Sequence, residues 1–254
     1  MKLYVESSKE ALGSAAAALI ARRLSEAAAE RGSARLVLST GMSQFETLEA
    51  LVRCSVPWER VTMFHLDEYI GIPDTHAASF RKYLKERFVS KVPLGEAVFV
   101  DVEGDVEERI ARLTARLREA PVDVGVIGIG ENAHIAFNDP PADFQSREAY
   151  WRVTLNETCR MQQVGEGWFP TEADVPREAV SMTPYQIMCC KCIVSPVPRA
   201  VKAQAIAKVL SAQEADPMVP ATLLKTHGDY HLFLDQDSAS ACPPEVLERY
   251  RREA

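Results

Sequence analysis

The chain has 254 residues, of which 47% are hydrophobic and 26% charged, and its formal net charge is −7. This composition is typical of a globular protein with a substantial core, and the negative charge argues weakly against nucleic-acid binding because no dense Lys/Arg patch offsets it. No apolar stretch approaches the roughly 18 residues of a membrane span, and the first residues lack the pattern of a signal peptide. We therefore expect a cytoplasmic protein with no nucleic-acid or membrane partner.

Apolar runs with the character of strands alternate with helical patterns along the chain. This alternation predicts βαβ units, and therefore an α/β fold with a mostly parallel sheet covered by helices on both faces. We expect a single domain over residues 1–254, with an irregular, lid-like segment around 140–176. In chain order, the predicted elements are a strand at 3–5, a helix at 8–31, a strand at 35–39, a helix at 43–53, a strand at 61–66, a helix at 77–88, a strand at 97–101, a helix at 105–118, strands at 122–129 and 179–183, a helix at 184–190, a strand at 192–197, a helix at 199–211 and a strand at 231–235.

Six cysteines raise the question of disulfides or a metal site. The chain is longer and poorer in cysteine than a secreted disulfide scaffold. The cluster of Cys189, Cys190 and Cys192 lacks a C-x-x-C pair and runs into an apolar strand, which favours buried, reduced thiols over a metal site. The histidines do not form an H-E-x-x-H motif, so no metal and no cofactor are expected.

Ligands of parallel α/β sheets bind beyond the carboxyl ends of the strands, so the residues that follow each strand are the candidate site. The strand that ends at Ser39 runs into Thr40 and Gly41, and a helix then opens at Met42 and Ser43. Free N–H groups and the helix dipole make such a start an anion cradle. A helix cap with a turn glycine is an equally good interpretation of this segment.

Two adjacent acids, Asp67 and Glu68, follow the strand at 61–66. Burial of one carboxyl near another raises a pKa towards the range of a general base, which favours a catalytic role. The alternative is that one of the two acids caps the next segment.

The most unusual stretch is GIGENAHIAFNDP, residues 128–140, directly after a buried strand. Gly128 and Gly130 allow close approach of a ligand to the backbone. His134 can act as acid or base near neutral pH, and Asp139 can hold its tautomer. A satisfied structural histidine is the alternative, but the neighbouring glycines and acids favour function.

Two cations, Arg199 and Lys202, follow the strand at 192–197. Positive charges in the first turn of a helix oppose its dipole, and an anionic ligand explains their placement. Together the strand ends predict an enzyme that performs acid–base chemistry on a phosphorylated small molecule.

Three motifs resemble the glucosamine-6-phosphate deaminase/isomerase family, which is related to the 6-phosphogluconolactonases. They are LSTGMSQ (38–44), FHLDEYIG (64–71) and GIGENAHIAFNDP (128–140), and their order and spacing agree over nearly the whole chain. The resemblance implies a doubly wound, Rossmann-like α/β fold. It also implies metal-independent conversion of glucosamine 6-phosphate and water to fructose 6-phosphate and ammonia.

By this resemblance, His134 assists opening of the pyranose ring and Asp67 moves a proton between C2 and C1 of the open sugar. Asp139 stands where the family has a glutamate that supports the histidine, and Asn132 stands where members have Asp or Asn. Arg199 stands where the family has a phosphate-binding lysine. The residues expected to bind the substrate or its phosphate are Ser39, Thr40, Gly41, Met42, Ser43, Glu68, Gly128, Gly130, Ala136 and Arg199.

The sequence departs from the family pattern in the histidine loop and in the middle of the chain. Ala133 replaces a glycine, and Asp139 is one methylene shorter than glutamate. Residues 159–169 replace a stretch in which typical deaminases place a substrate-binding arginine. The side chains that we expect in a lid over the sugar instead are Gln162, Gln163, Glu166 and Trp168.

The departures leave three alternatives to a deaminase: a 6-phosphogluconolactonase-like hydrolase, another sugar-phosphate isomerase, or a non-catalytic sugar-phosphate sensor. IAFNDP after His134 and the FHLDEY segment favour the deaminase. The sequence is compatible with a homo-oligomer and does not determine the oligomeric state.

Overall fold

The structure is a computed structural model that describes residues 1–252. Within this range the strands are β1 (Lys2–Glu6), β2 (Ala34–Leu38), β3 (Val61–His65), β4 (Asp67–Tyr69), β5 (Glu96–Val98), β6 (Val124–Val126), β7 (Tyr150–Thr154), β8 (Glu178–Met182), β9 (Cys192–Val197) and β10 (Tyr230–Asp235). The α-helices are α1 (Lys9–Arg31), α2 (Phe45–Leu51), α3 (Phe80–Arg87), α4 (Val106–Arg118), α5 (Glu157–Gly165), α6 (Pro184–Met188), α7 (Ala203–Ser211), α8 (Gln236–Ala239) and α9 (Pro244–Arg252).

Seven strands form one parallel sheet in the order β1-β10-β9-β6-β2-β3-β5. Side chains alternate across it, so Val37 enters one hydrophobic core while Leu36 and Leu38 enter the other. The first core contains residues of α4 and α7, and the second contains residues of α1 and α2. The predicted doubly wound α/β fold with helices on both faces is therefore confirmed.

The long first helix has the ends that its sequence predicts. The Ser8 side chain accepts a hydrogen bond from the Ala11 N–H at 3.2 Å. At the other end Gly32 adopts φ 79°, the left-handed conformation that glycine takes at a helix C-terminus. None of the helices within residues 1–252 combines the length and hydrophobicity needed to cross a membrane.

A second, antiparallel sheet in the order β4-β8-β7 was not predicted. The strand expected at 179–183 exists as β8, but it belongs to this small sheet. The segment around 140–176 is not irregular throughout, because it contains β7 and α5. The sequence does not predict β7 because this strand is only partly buried and carries Arg152 and Thr154 at exposed positions. Asn156 caps α5 by accepting the Cys159 N–H at 2.8 Å.

The cysteines are unpaired in the structure, as predicted. The expectation that the cluster is buried holds for Cys190 and Cys192 but is wrong for Cys189, which is exposed. Cys189 follows the end of α6, where the chain turns at the surface before β9 begins.

Glu68 is predicted to bind substrate, but the structure places its carboxylate fully buried and outside the lining of the cleft at the carboxyl edge of the sheet. It accepts the backbone N–H groups of Tyr69, Phe80 and Arg81 at 3.0, 3.1 and 2.7 Å. It also accepts the Ser79 hydroxyl at 2.8 Å and the Arg81 Nε at 3.3 Å. The alternative interpretation, that one of the two adjacent acids caps the next segment, is therefore correct for Glu68, which holds the start of α3.

Replacing Glu68 by alanine is expected to lower the free energy of unfolding by about 3–5 kcal/mol, because it leaves the buried backbone N–H groups, the Ser79 hydroxyl and the Arg81 Nε without their acceptor. Glu103→Ala is the matched control, since Glu103 pairs with the same arginine at 3.1 Å but its side chain is 63% exposed. Its removal should cost less than about 1 kcal/mol in urea denaturation. Equal losses for the two variants would contradict the anchoring role of Glu68.

Candidate active site

A cleft lies at the carboxyl edge of the parallel sheet, where β2, β3, β6 and β9 end and α5 closes over them. It encloses about 770 Å³, part of which is open to solvent. The predicted site residues that line it are Ser39, Thr40, Gly41, Met42, Ser43, Asp67, Gly128, Gly130, His134, Ala136 and Arg199. Three other predicted residues, Glu68, Asn132 and Asp139, do not line the cleft.

The loop after β2 forms one end of this cleft. Gly41 adopts φ 95°, which favours glycine, and its carbonyl accepts the Tyr83 hydroxyl at 2.9 Å. The Ser39 hydroxyl is buried and has no hydrogen-bond partner within residues 1–252. A Cβ on Gly128 would lie 3.3 Å from Gln44 Nε2 and 3.8 Å from Ser39 Oγ. Glycine at 128 therefore keeps this end open, as a small anion requires.

Asp67 lies on β4 with its carboxyl group facing the cleft and only 6% exposed. In contrast to Glu68, it accepts no hydrogen bond from any residue that the structure describes. Burial, reinforced by the negative charge of Glu68, raises the pKa of Asp67 to about 8. A carboxyl group with this pKa can both take up and release a proton near neutral pH.

His134 sits directly over Gly130. A Cβ at position 130 would lie 2.3–2.5 Å from three atoms of the imidazole ring, which no side chain could tolerate. Gly130 lines the cleft, as the sequence predicts, and the absence of a side chain there also makes room for the imidazole of His134.

Asp139 and Asn132 contact His134 on the side that faces away from the cleft. His134 Nδ1 lies 3.2 Å from Asp139 Oδ1, within ion-pair distance although without full hydrogen-bond alignment. Asn132 accepts the His134 N–H at 3.1 Å and donates to Asp139 Oδ1 at 3.0 Å. Burial alone would raise the pKa of Asp139, but its contacts with His134, Asn132 and Cys159 hold that pKa below its usual value. The ionised Asp139 thus positions the ring, and neither it nor Asn132 lines the cleft.

The histidine loop has a strained backbone at two alanines. Ala133 has φ 67° and Ala136 has φ 49°, both in the left-handed region that favours glycine. Ala133 is fully buried, and its N–H donates to the Gly130 carbonyl at 3.0 Å. The alanine that departs from the family pattern therefore keeps a conformation that suits a glycine.

The two cations after β9 have different surroundings. Arg199 is paired, since its Nη2 lies 2.7 Å from Glu46 Oε1, and its own N–H is held by the Asp235 carboxylate at 3.0 and 3.1 Å. Lys202 is only 7% exposed and lines the cleft, and its ammonium group has no hydrogen bond or ion pair with any described residue. Burial lowers its pKa, although nearby Glu166 acts in the opposite direction. Lys202 is thus the cation that an anion in the cleft would neutralise.

The sequence places both cations after β9 and predicts phosphate binding by Arg199, which stays a prediction. The Glu46 partner of Arg199 lies 153 positions earlier in the chain, so no local pattern could reveal that its charge is already compensated. The sequence signal for an anion site was the position of both cations in the first turn of a predicted helix.

The helix α5 and the turn that follows it cover the cleft and carry the side chains expected in the lid. Gln162, Gln163 and Glu166 line the cleft, while Trp168 donates its Nε1–H to Glu166 Oε2 at 3.0 Å. Gln162 donates to the other Glu166 oxygen at 2.8 Å, and the Tyr69 hydroxyl donates to Gln163 at 2.6 Å. The lid is thus tied both internally and to β4.

Known proteins resemble this chain over nearly its whole length. A glucosamine-6-phosphate deaminase of Bacillus cytotoxicus is 30% identical over 254 residues, covering 99% of this chain and 93% of that protein. A solved structure of a monomeric glucosamine-6-phosphate deaminase matches with a TM-score of 0.86 at 28% identity, covering 95% of this chain and all of the other. A 6-phosphogluconolactonase of Shewanella baltica matches with a TM-score of 0.76 at 19% identity, covering 92% and 97%, and shares the fold.

The model of the family described as glucosamine-6-phosphate isomerases/6-phosphogluconolactonase matches residues 7–232. This range includes each of the strand ends that form the cleft. The chain belongs to the family of glucosamine-6-phosphate isomerases and 6-phosphogluconolactonases.

Proposed function

We propose that this protein is a glucosamine-6-phosphate deaminase, which converts glucosamine 6-phosphate and water to fructose 6-phosphate and ammonia. The observation that carries the proposal is the placement of Asp67 and His134 in one cleft that also holds the unpaired Lys202. An acid–base pair and an anion-binding end match an amino sugar that carries a phosphate. The deaminases among its relatives support the same activity.

The phosphate of the substrate binds at the end of the cleft formed by Lys202 and the loop at Thr40–Ser43. A phosphate there pairs with a cation that has no other partner, and the Ser39 hydroxyl offers a donor that is otherwise unused. Binding at this end leaves the sugar ring near Asp67 and His134.

His134 moves the proton that opens the ring, and Asp139 keeps the imidazole oriented for that transfer. Asp67 then removes the proton from C2 and returns it to C1, while O1 gains a proton and the amine loses one, so that the C1 aldehyde becomes an alcohol and the amine at C2 becomes an imine. Water adds to that carbon, the C–N bond breaks, and ammonia leaves with the proton that water supplies. The product carries its carbonyl group at C2.

The electrostatics of Asp67 suit a substrate with a positive charge. Without ligand, the pKa near 8 keeps much of this carboxyl protonated at neutral pH. The ammonium group of an amino sugar in the cleft favours the ionised form, because an opposite charge within a few ångströms lowers a carboxyl pKa. The substrate thus helps to generate the base that acts on it.

The direct test is ammonia release from glucosamine 6-phosphate, compared with N-acetylglucosamine 6-phosphate and with hydrolysis of 6-phosphogluconolactone. Ammonia and fructose 6-phosphate in equal amounts from the first compound alone are expected. Preferred hydrolysis of the lactone, or no product from any compound, would overturn the proposal. The homo-oligomer considered above, the cytoplasmic location and the absence of a nucleic-acid partner stay predictions.

Asp67→Asn is expected to reduce kcat at least about 10²–10⁴-fold, because it removes the general base while keeping the size of the side chain. Binding of glucosamine 6-phosphate, measured by calorimetry, should persist. Near-normal turnover in this variant would show that another group removes the C2 proton.

The pH dependence of kcat/KM should report the ionisation of Asp67. Because the ionised carboxylate is the base, kcat/KM rises with pH up to an inflection near 8 and then levels off. Glu68→Gln removes the neighbouring negative charge and should move the inflection to lower pH. Glu131→Gln, also at the cleft, is the control and should leave it in place. The substrate ionises identically in all three assays, so an inflection that stays fixed in Glu68→Gln contradicts this origin.

The surroundings of the two cations predict that Lys202 contributes more to phosphate binding than Arg199 does. Lys202→Met should weaken binding of glucosamine 6-phosphate by at least about tenfold, since a charged hydrogen bond contributes about 1.5–3 kcal/mol. Arg199→Met should cost less, because Arg199 already pairs with Glu46. Calorimetry with unphosphorylated glucosamine is the control. An equal loss for both sugars, or a larger effect of Arg199→Met, would contradict the assignment.

A further inference from the structure

A second cluster of chemically reactive side chains lies at the amino edge of the parallel sheet, opposite the cleft. Cys192 is the first residue of β9, His231 is the second residue of β10, and Asp229 directly precedes β10. Because β9 and β10 are parallel neighbours, their starting residues meet at this edge. One donor atom from each of the three side chains lies within 4.8 Å of the other two.

Two of the three donor side chains, His231 and Asp229, each contact a further side chain outside the cluster, which orients them. His231 Nε2 lies 2.8 Å from Asp229 Oδ1, and its Nδ1 lies 3.2 Å from the Tyr4 hydroxyl. Arg23 donates to the other oxygen of Asp229 at 2.7 Å. Metal-binding imidazoles and carboxylates in proteins are usually oriented by such outer contacts.

We propose that Cys192, Asp229 and His231 form a binding site for a divalent transition metal of the zinc class. A thiolate, an imidazole and a carboxylate are the donors that zinc prefers, and three protein ligands leave a fourth position for water. Cys192 and His231 are buried, whereas the Asp229 side chain is 30% exposed and provides a route of entry.

Binding of a metal ion changes the protonation of the cluster. The dication displaces the thiol proton of Cys192, so that a sulfur–metal bond replaces the S–H bond and one proton goes to solvent. The thiolate and the Asp229 carboxylate then oppose the charges of the dication and of Arg23, which leaves the cluster with one net positive charge. Arg23 can stay on Oδ2 while Oδ1 binds the metal, and the remaining His231 proton moves to Nδ1, where the Tyr4 oxygen can accept it.

A metal at this position would join elements that are distant in sequence. The ligands come from β9, from β10 and from the turn before β10, while the outer contacts come from β1 and α1. The expected effect is therefore on stability, and the proposal is independent of the proposed deaminase activity, since the cleft lies at the other edge of the sheet.

The test is titration of the untagged, metal-free chain with Zn²⁺ and with Co²⁺. One saturating equivalent is expected, with a thiolate-to-cobalt charge-transfer band and a rise in Tm on adding Zn²⁺. Cys192→Ser and His231→Gln should lose the band and the rise in Tm. Cys189→Ser is the matched control, because this neighbouring thiol is exposed and outside the cluster, and it should behave like the wild type.

Binding by wild-type protein that is absent from both ligand variants supports the site. Absence of saturable binding to the wild type would overturn it, whatever the folding of the variants, and would identify the cluster as a hydrogen-bond network. A charge-transfer band that persists in Cys192→Ser but is lost in Cys189→Ser would also overturn it.

Discussion

The site depends on one constraint: two adjacent carboxyl groups, those of Asp67 and Glu68, have different hydrogen-bond surroundings. Side chains alternate across β4, so Asp67 and Glu68 face opposite directions. Glu68 receives three backbone N–H groups, a hydroxyl and a guanidinium, and these contacts fix β4 against the start of α3. Asp67 receives no such donor from the described residues, and its burial, reinforced by the negative charge of Glu68, raises its pKa to about 8. One acid thus stabilises the structure while its neighbour stays available for proton transfer.

The parallel sheet supplies the second constraint, because it brings distant segments to one edge. The loop after β2, the start of β4, the histidine loop after β6 and the turn after β9 meet there, although they span residues 39 to 202. The histidine loop adds its own local requirement. Gly130 has no side chain because the imidazole of His134 occupies that space, and Asp139 and Asn132 fix the ring from the other side.

Much of the fold and of the site could be predicted from the sequence. The features that could not be predicted share a physical cause. Strand ends, apolar periodicity and turn residues are local signals, so they located the parallel sheet and the residues of the cleft, including Asp67 and His134. The small antiparallel sheet, the direction of Glu68 and the pairing of Arg199 with Glu46 depend on partners far away in the chain. No local pattern encodes which of two adjacent acids is satisfied or which of two nearby cations is already neutralised.

The central claim is that the fold keeps Asp67 as a buried, unsatisfied carboxyl group with an elevated pKa. The most direct measurement is a ¹³C NMR titration of the side-chain carboxyl carbons, with Asp67 assigned from the spectrum of Asp67→Asn. A carboxyl resonance that titrates near pH 8 and is absent from the variant is the result that the structure predicts. Titration of Asp67 near its ordinary value, around pH 4, would contradict the account.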